Sequence, residues 1–178
     1  MNYQPDIYLT DSKNKCRFAL GQTGTRNLLA FGLNPSTADD QKPDQTISKL
    51  IGFAKRNGYD GFVMLNLYPM RTPYPTALHK RVNNQLYQEN LMKIKEIISS
   101  IGDCDCIAAW GGDIRIRKYL NRSLTDIVQL THEHTLTWLK IGDLTKNGHP
   151  RHPSRASYAL PFTHLDISTY LECWSHKS

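Results

Sequence analysis

Gly61-Phe-Val-Met-Leu-Asn-Leu67 is a short, almost wholly apolar run, with glycine at its start and Tyr68-Pro69 after it. It is too short for a buried helix, and it lacks the polar alternation of a strand with one wet face. Such a segment folds as a strand buried on both faces, which obliges the chain to cover both faces of one sheet. The rest of the chain can meet that demand. Cys104–Trp110, closed by Gly111-Gly112, reads as a second buried strand and Leu136–Ile141 as a further one. From Asp44, the residues Ile47, Leu50, Ile51 and Ala54 recur at helical spacing until Gly58. Leu91, Ile94, Ile97 and Ile98 mark one side of a helix from Leu86 to Ile101, and shorter helices are expected over 113–120 and 165–174. Arg17–Gly32, with a glycine-rich turn, reads as a hairpin whose second strand, Asn27–Leu33, enters the core. Strands alternating with helices predict an α/β fold, a three-layer α/β/α sandwich around a mainly parallel central sheet. At 178 residues the expectation is one domain spanning 1–178, with any active site inside it.

Composition narrows the function classes. No apolar run approaches the roughly 18 residues of a membrane span. Met1-Asn-Tyr-Gln-Pro-Asp6 lacks a signal-peptide pattern, so a cytoplasmic protein without membrane partners is expected. The four cysteines (Cys16, Cys104, Cys106, Cys173) have no C-x-x-C or zinc spacing and are expected to be buried reduced thiols, with no metal and no cofactor implied. Lys plus Arg (22) against Asp plus Glu (16) gives +6, which favours polyanionic partners. A Walker loop, a G-x-S-x-G elbow and an H-E-x-x-H helix are all missing. His132-Glu133-His134 has the wrong spacing for zinc and is expected in an exposed turn.

In sheets of this class the chemistry gathers outside the carboxyl ends of the strands. Asn34, after the first core strand, can orient a water or read a heterocycle edge, or simply serve as a turn residue before proline. Asn66 interrupts an apolar strand, and a buried amide left unpaired costs about 1–3 kcal/mol; it either reads a ligand or bonds a neighbouring loop. The loop with His149, Arg151, His152 and Arg155 offers imidazoles and charge among prolines and serines, and reads as an anion site or as an exposed basic turn. Asp39, Asp40 and Asp44 could supply a general base or magnesium ligands, or form a solvated loop and a helix cap.

At these loops the sequence resembles the DUF1643 family. The resemblance is carried by Leu33-Asn-Pro-Ser-Thr-Ala-Asp39, Asp44-Gln-Thr-Ile47, Asn66-Leu-Tyr-Pro69, Ala109-Trp-Gly111 and Leu144-Thr-Lys-Asn-Gly-His-Pro-Arg-His-Pro153. More distantly, Gly32-Leu-Asn-Pro35, Val63-Met-Leu-Asn-Leu67, Ala109-Trp-Gly111 and His152-Pro-Ser154 resemble, in the same order, four motifs of the uracil-DNA glycosylase superfamily. That resemblance implies a uracil-DNA glycosylase-like fold and an enzyme that hydrolyses the N-glycosidic bond of an unusual base in DNA, or of a nucleoside or nucleotide. The alternative is a silent nucleic-acid or nucleotide-binding module. It implies Asn34 and His152 as catalytic residues. Asn66, Pro35, Ser36, Asp39 and Tyr68 would surround the substrate, and His149, Arg151, Pro153, Ser154 and Arg155 the phosphates. Ser36 and Arg155 depart from the superfamily pattern, as does the lack of an apolar wedge after His152.

Overall fold

The computed structural model describes residues 2–131 and 134–175. His132 and Glu133, expected in an exposed turn, lie outside them. Seven strands make one sheet: β1 (Ile7–Thr10), β2 (Arg17–Gln22), β3 (Asn27–Gly32), β4 (Gly61–Asn66), β5 (Cys104–Ala108), β6 (Leu136–Ile141) and β7 (Phe162–His164). Four α-helices accompany them: α1 (Gln45–Arg56), α2 (Asn84–Ile101), α3 (Lys118–Leu130) and α4 (Ile167–Ser175). The spatial order is β1-β2-β4-β3-β5-β6-β7.

The sheet is mixed, which corrects the expectation of a mainly parallel one. β4, β3, β5 and β6 form a parallel centre, while β1 and β2 on one side and β7 on the other pair antiparallel. The expected hairpin does not form either. β4 lies between β2 and β3, so these two never pair. Their connection crosses the start of β4, where Asp60 accepts hydrogen bonds from Thr25 N (3.1 Å) and Arg26 N (2.6 Å). A side chain on Gly61 would stand 2.5 Å from Gly24 N, so that crossing requires glycine.

Alternation along the central strands divides the core. Leu29, Phe31, Val63 and Leu65 face α2, α3 and α4, whereas Leu28, Ala30, Phe62 and Met64 face α1. Asp44 caps α1 by accepting from Ile47 N at 2.9 Å, and Ile47, Leu50, Phe53 and Ala54 form its buried stripe. Asn83 caps α2 in the same way through Leu86 N, and Gly102, at φ 77°, ends it. The helix expected over 113–120 is instead a short 3-10 turn at Gly112–Ile116, with α3 following. Of the cysteines, Cys16 and Cys106 are buried, but Cys104 is half-buried and Cys173 is exposed, against the expectation for all four.

This topology dictates where a site can form. From β3 the chain first adds β4 on one side and then crosses to β5 on the other. The order reverses at β3, and the connections leave a crevice beyond the carboxyl ends of β3 and β5.

Candidate functional site

A cleft of about 360 Å³ occupies that crevice, a volume within the range of small-molecule sites. The loop after β3 contributes Asn34 and Ser36. The turn after β5 contributes Trp110, Gly111, Gly112 and Asp113, the start of α1 Asp44 and Thr46, and the loop after β6 His152, Ser154 and Arg155. Arg17 also reaches it. β2 runs antiparallel to β4, so its first residue lies at the end of the sheet where the parallel strands finish.

Asn34 is held by three backbone carbonyls. Its Nδ2 donates to Pro35 O (2.9 Å), Thr72 O (2.8 Å) and Met70 O (3.3 Å). Three acceptors around one atom identify that atom as the amide nitrogen. Oδ1 accepts no hydrogen bond among the described residues, and this oxygen is the polar atom Asn34 has left to offer a ligand or water.

His152 is fixed from its other ring nitrogen. Ser154 N donates to Nδ1 (3.4 Å), and Ser154 Oγ lies 2.8 Å from the same atom. A backbone N–H can only donate, so Nδ1 is an acceptor and the proton of the neutral ring sits on Nε2. Burial, helped by the charge of Arg155, holds the imidazole below its ordinary pKa, with Asp113 and Asp44 pulling weakly the other way. At neutral pH His152 therefore presents a neutral N–H donor. Gly111 lets this loop approach: at φ 70° and ψ −169° its backbone suits glycine alone, and a Cβ there would stand 3.3 Å from His152 Cβ.

Arg17 is 2% exposed, and burial pulls its guanidinium down to about 10 despite the neighbouring Asp44 charge, so it stays cationic at neutral pH.

The other expected site residues are distributed as follows. Pro35 is buried, its carbonyl accepting from Asn34 Nδ2 and Thr72 N, and Pro153 is the buried first residue of the 3-10 turn Pro153–Arg155. Both shape the cleft loops. Asn66, at the end of β4, is fully buried, and neither its Oδ1 nor its Nδ2 has a hydrogen-bond partner among the described residues. It does not line the cleft, but Met64, two residues earlier on the same strand face, does. Both Met64 Cε and Asn66 Oδ1 crowd the place where a side chain on Gly32 would stand.

Tyr68, His149, Arg151 and Asp39 lie apart from the cleft. Tyr68 is buried on the α2–α3 face with its hydroxyl 2.7 Å from His79 Nδ1. His149 is buried behind Gly112, stacked on Trp174 at 4.1 Å. The Tyr170 hydroxyl accepts from Trp110 Nε1 (3.1 Å) and is hydrogen-bonded to His149 Nδ1 (2.9 Å), tying α4 to the end of β5. Arg151 is half-buried, with Nε lacking a hydrogen-bond partner among the described residues. Asp39 closes a turn by accepting from Gln41 N and Lys42 N, bonds that hold its carboxyl below the usual range. Asp44 caps α1 and Asp40 is exposed, so the acidic loop does not converge; among the described residues no three His, Cys, Asp or Glu side chains gather as a metal site.

Arg17 and Met64 were not expected at the site. The one available signal was a charged residue opening an apolar strand. A family model described as a protein of unknown function (DUF1643) matches residues 17–154, a span that begins and ends on residues of the cleft. No curated protein and no solved structure matches the chain.

Proposed function

The chain belongs to the DUF1643 family, and from the chemistry of its cleft we propose that it is a hydrolase of the uracil-DNA glycosylase kind. In this reading it cleaves the N-glycosidic bond of an unusual or modified base in a nucleic acid, or of a nucleoside or nucleotide. The observation that carries the reading is the meeting, in one cleft, of an immobilised side-chain acceptor at Asn34 and a neutral imidazole donor at His152.

An N-glycosidic bond breaks as the base takes the bonding electron pair and the sugar becomes oxocarbenium-like. The developing anion needs a donor that is already in place and shielded from water. His152 Nε2–H is such a donor. An amide cannot take a proton as a carboxylate can, so Asn34 Oδ1 positions the attacking water, whose oxygen bonds to the sugar carbon while its proton passes to solvent and the departing base anion takes one up from solvent. A base drawn deeper would meet Met64, whose unbranched thioether can swing aside. The Asn66 amide would then gain the partner it lacks.

Base release answers the question directly. Purified protein is incubated with labelled oligonucleotides carrying uracil, hypoxanthine, mismatched thymine or modified cytosines, single- and double-stranded, with hot alkali to reveal abasic sites. Nucleosides and nucleoside monophosphates are assayed alongside for free base. Release is expected with at least one substrate, and Asn34→Ala should lower it by about 100-fold or more. Silence throughout, with salt-sensitive binding retained, would make the protein a nucleic-acid or nucleotide-binding module instead.

A further inference from the structure

Arg17 has no part in that chemistry, yet it is the most unusual group in the cleft. Its guanidinium is anchored at one atom, Nη1, which donates to Ala38 O at 2.8 Å. Nε is buried without a hydrogen bond, and Nη2 makes none among the described residues. These two nitrogens form one edge of the guanidinium, with parallel N–H donors spaced for two oxygens of a phosphate or carboxylate. Arg71 Nη2 donates to the same Ala38 carbonyl at 3.0 Å, so two guanidiniums crowd one oxygen. Among the described residues, no carboxylate lies within salt-bridge distance of either. A buried cation without a counter-ion destabilises a fold, and Arg17 is one of the residues lining the cleft.

The surroundings limit which anion fits. Asp44, which also lines the cleft, acts electrostatically on both Arg17 and His152. With Asp113 also in the wall, a ligand carrying many charges would be repelled. At 2% exposure, Arg17 can be reached by a group that terminates in the cleft. A phosphodiester inside a strand would have to enter and leave again.

We propose that the Nε–Nη2 edge of Arg17 is a clamp for one terminal phosphate, and that the substrate is a free nucleoside monophosphate rather than a base within a strand. The nucleoside half rests on the N-glycosidic reading, whereas the phosphate half rests on Arg17 alone.

The test is binding to the intact protein. Thermal shift is measured with inorganic phosphate against sodium chloride at equal ionic strength. Calorimetry then compares ribo- and deoxynucleoside 5′-monophosphates with their nucleosides. Phosphate is expected to raise Tm, and at least one monophosphate to bind about tenfold or more tighter than its nucleoside. Arg17→Lys keeps a cation but loses the fork, and should remove that preference, as should Arg17→Met. If neither variant folds, the wild-type comparison still decides. No response to phosphate, equal binding of nucleoside and monophosphate, or a preference that survives both substitutions would each overturn the clamp. Base release from strands without any phosphate preference would keep the hydrolase and remove the clamp. A phosphate preference without base release from any substrate would do the reverse.

Discussion

Asn34 shows at the scale of one residue why an amide, and not a carboxylate, ends the first loop. Its nitrogen donates to three backbone carbonyls, and a carboxylate oxygen in that place would face the same three lone pairs with nothing to donate. Asn34→Asp is therefore expected to lose about 2 kcal/mol or more of stability and to gain no activity, as measured by urea denaturation beside the base-release assay. Full activity in a stable Asp variant would contradict the hydrogen-bond assignment. His152 makes a second prediction. In the unfolded chain an imidazole takes up its proton near 6.5, whereas in the folded protein it does so at lower pH. Between those two values the unfolded chain binds more protons. His152 thus makes stability rise with pH across that window and leaves it level above. Activity that needs the neutral ring should keep its acid limb below about 6.5. Since Arg155 helps to hold the ring neutral, Arg155→Ala should move that limb upward in a pH–rate profile.

Helix α1 joins the fold to the site through one side chain. Asp44 satisfies an orphan amide of the first turn while its charge faces the cleft, and substitution can separate these roles. Asp44→Ala should cost about 1 kcal/mol as a lost cap, whereas Asp44→Asn keeps the cap. The Asn variant also removes a carboxylate that raises the pKa of His152, so its acid limb should move further down while its Tm stays near the wild-type value. A limb that moves upward instead would show that Asp44 does not act on His152. In the turn after β5, Gly111→Ala should cost about 1–3 kcal/mol, because φ 70° and ψ −169° exclude a side chain, and should lower activity by displacing His152. Capped helices were readable from sequence for the same reason that they are stable. Asp44 and Asn83 announce α1 and α2. Helix α3 begins at Arg117 without a side-chain cap, and that arginine instead donates to the carbonyls of Thr76, Leu78 and His79. Its buried stripe includes Ser123, which hides the apolar period. The start of this helix therefore carried no local signal, and its expected position was several residues early.

Across the whole molecule, what could be read from sequence and what could not separate along the distinction between local and non-local information. The buried strands β3, β4 and β5 follow from composition at each point, and Asn34, Ser36, His152, Ser154 and Arg155, singled out from the loops or through the family resemblance, line one cleft. Pairing is a property of the folded chain. The insertion of β4 between β2 and β3, and the antiparallel edges at β1 and β7, depend on contacts between residues far apart in sequence. Arg17 was overlooked because its burial, with Nε left unpartnered, arises from contacts between residues far apart in sequence. The net charge of +6 belongs to this scale too, and it separates the two substrate classes. A strand lying on a basic surface releases counterions from each phosphate contacted, and its affinity falls with a log–log salt slope of about −0.7 per contact. A single phosphate held by Arg17 has no condensed counterions to release, and salt only screens the pair. Raising salt from 50 to 200 mM should then weaken monophosphate binding by roughly fourfold or less, while any strand binding to the outer surface falls far more steeply. Arg17→Met, which removes the cation, should abolish the first dependence together with the monophosphate preference and leave the second untouched, because contacts of a strand on the outer surface would lie on exposed lysines and arginines outside the cleft. A steep strand slope that flattens in the Arg17 variant would instead put the strand inside the cleft and return the substrate to nucleic acid.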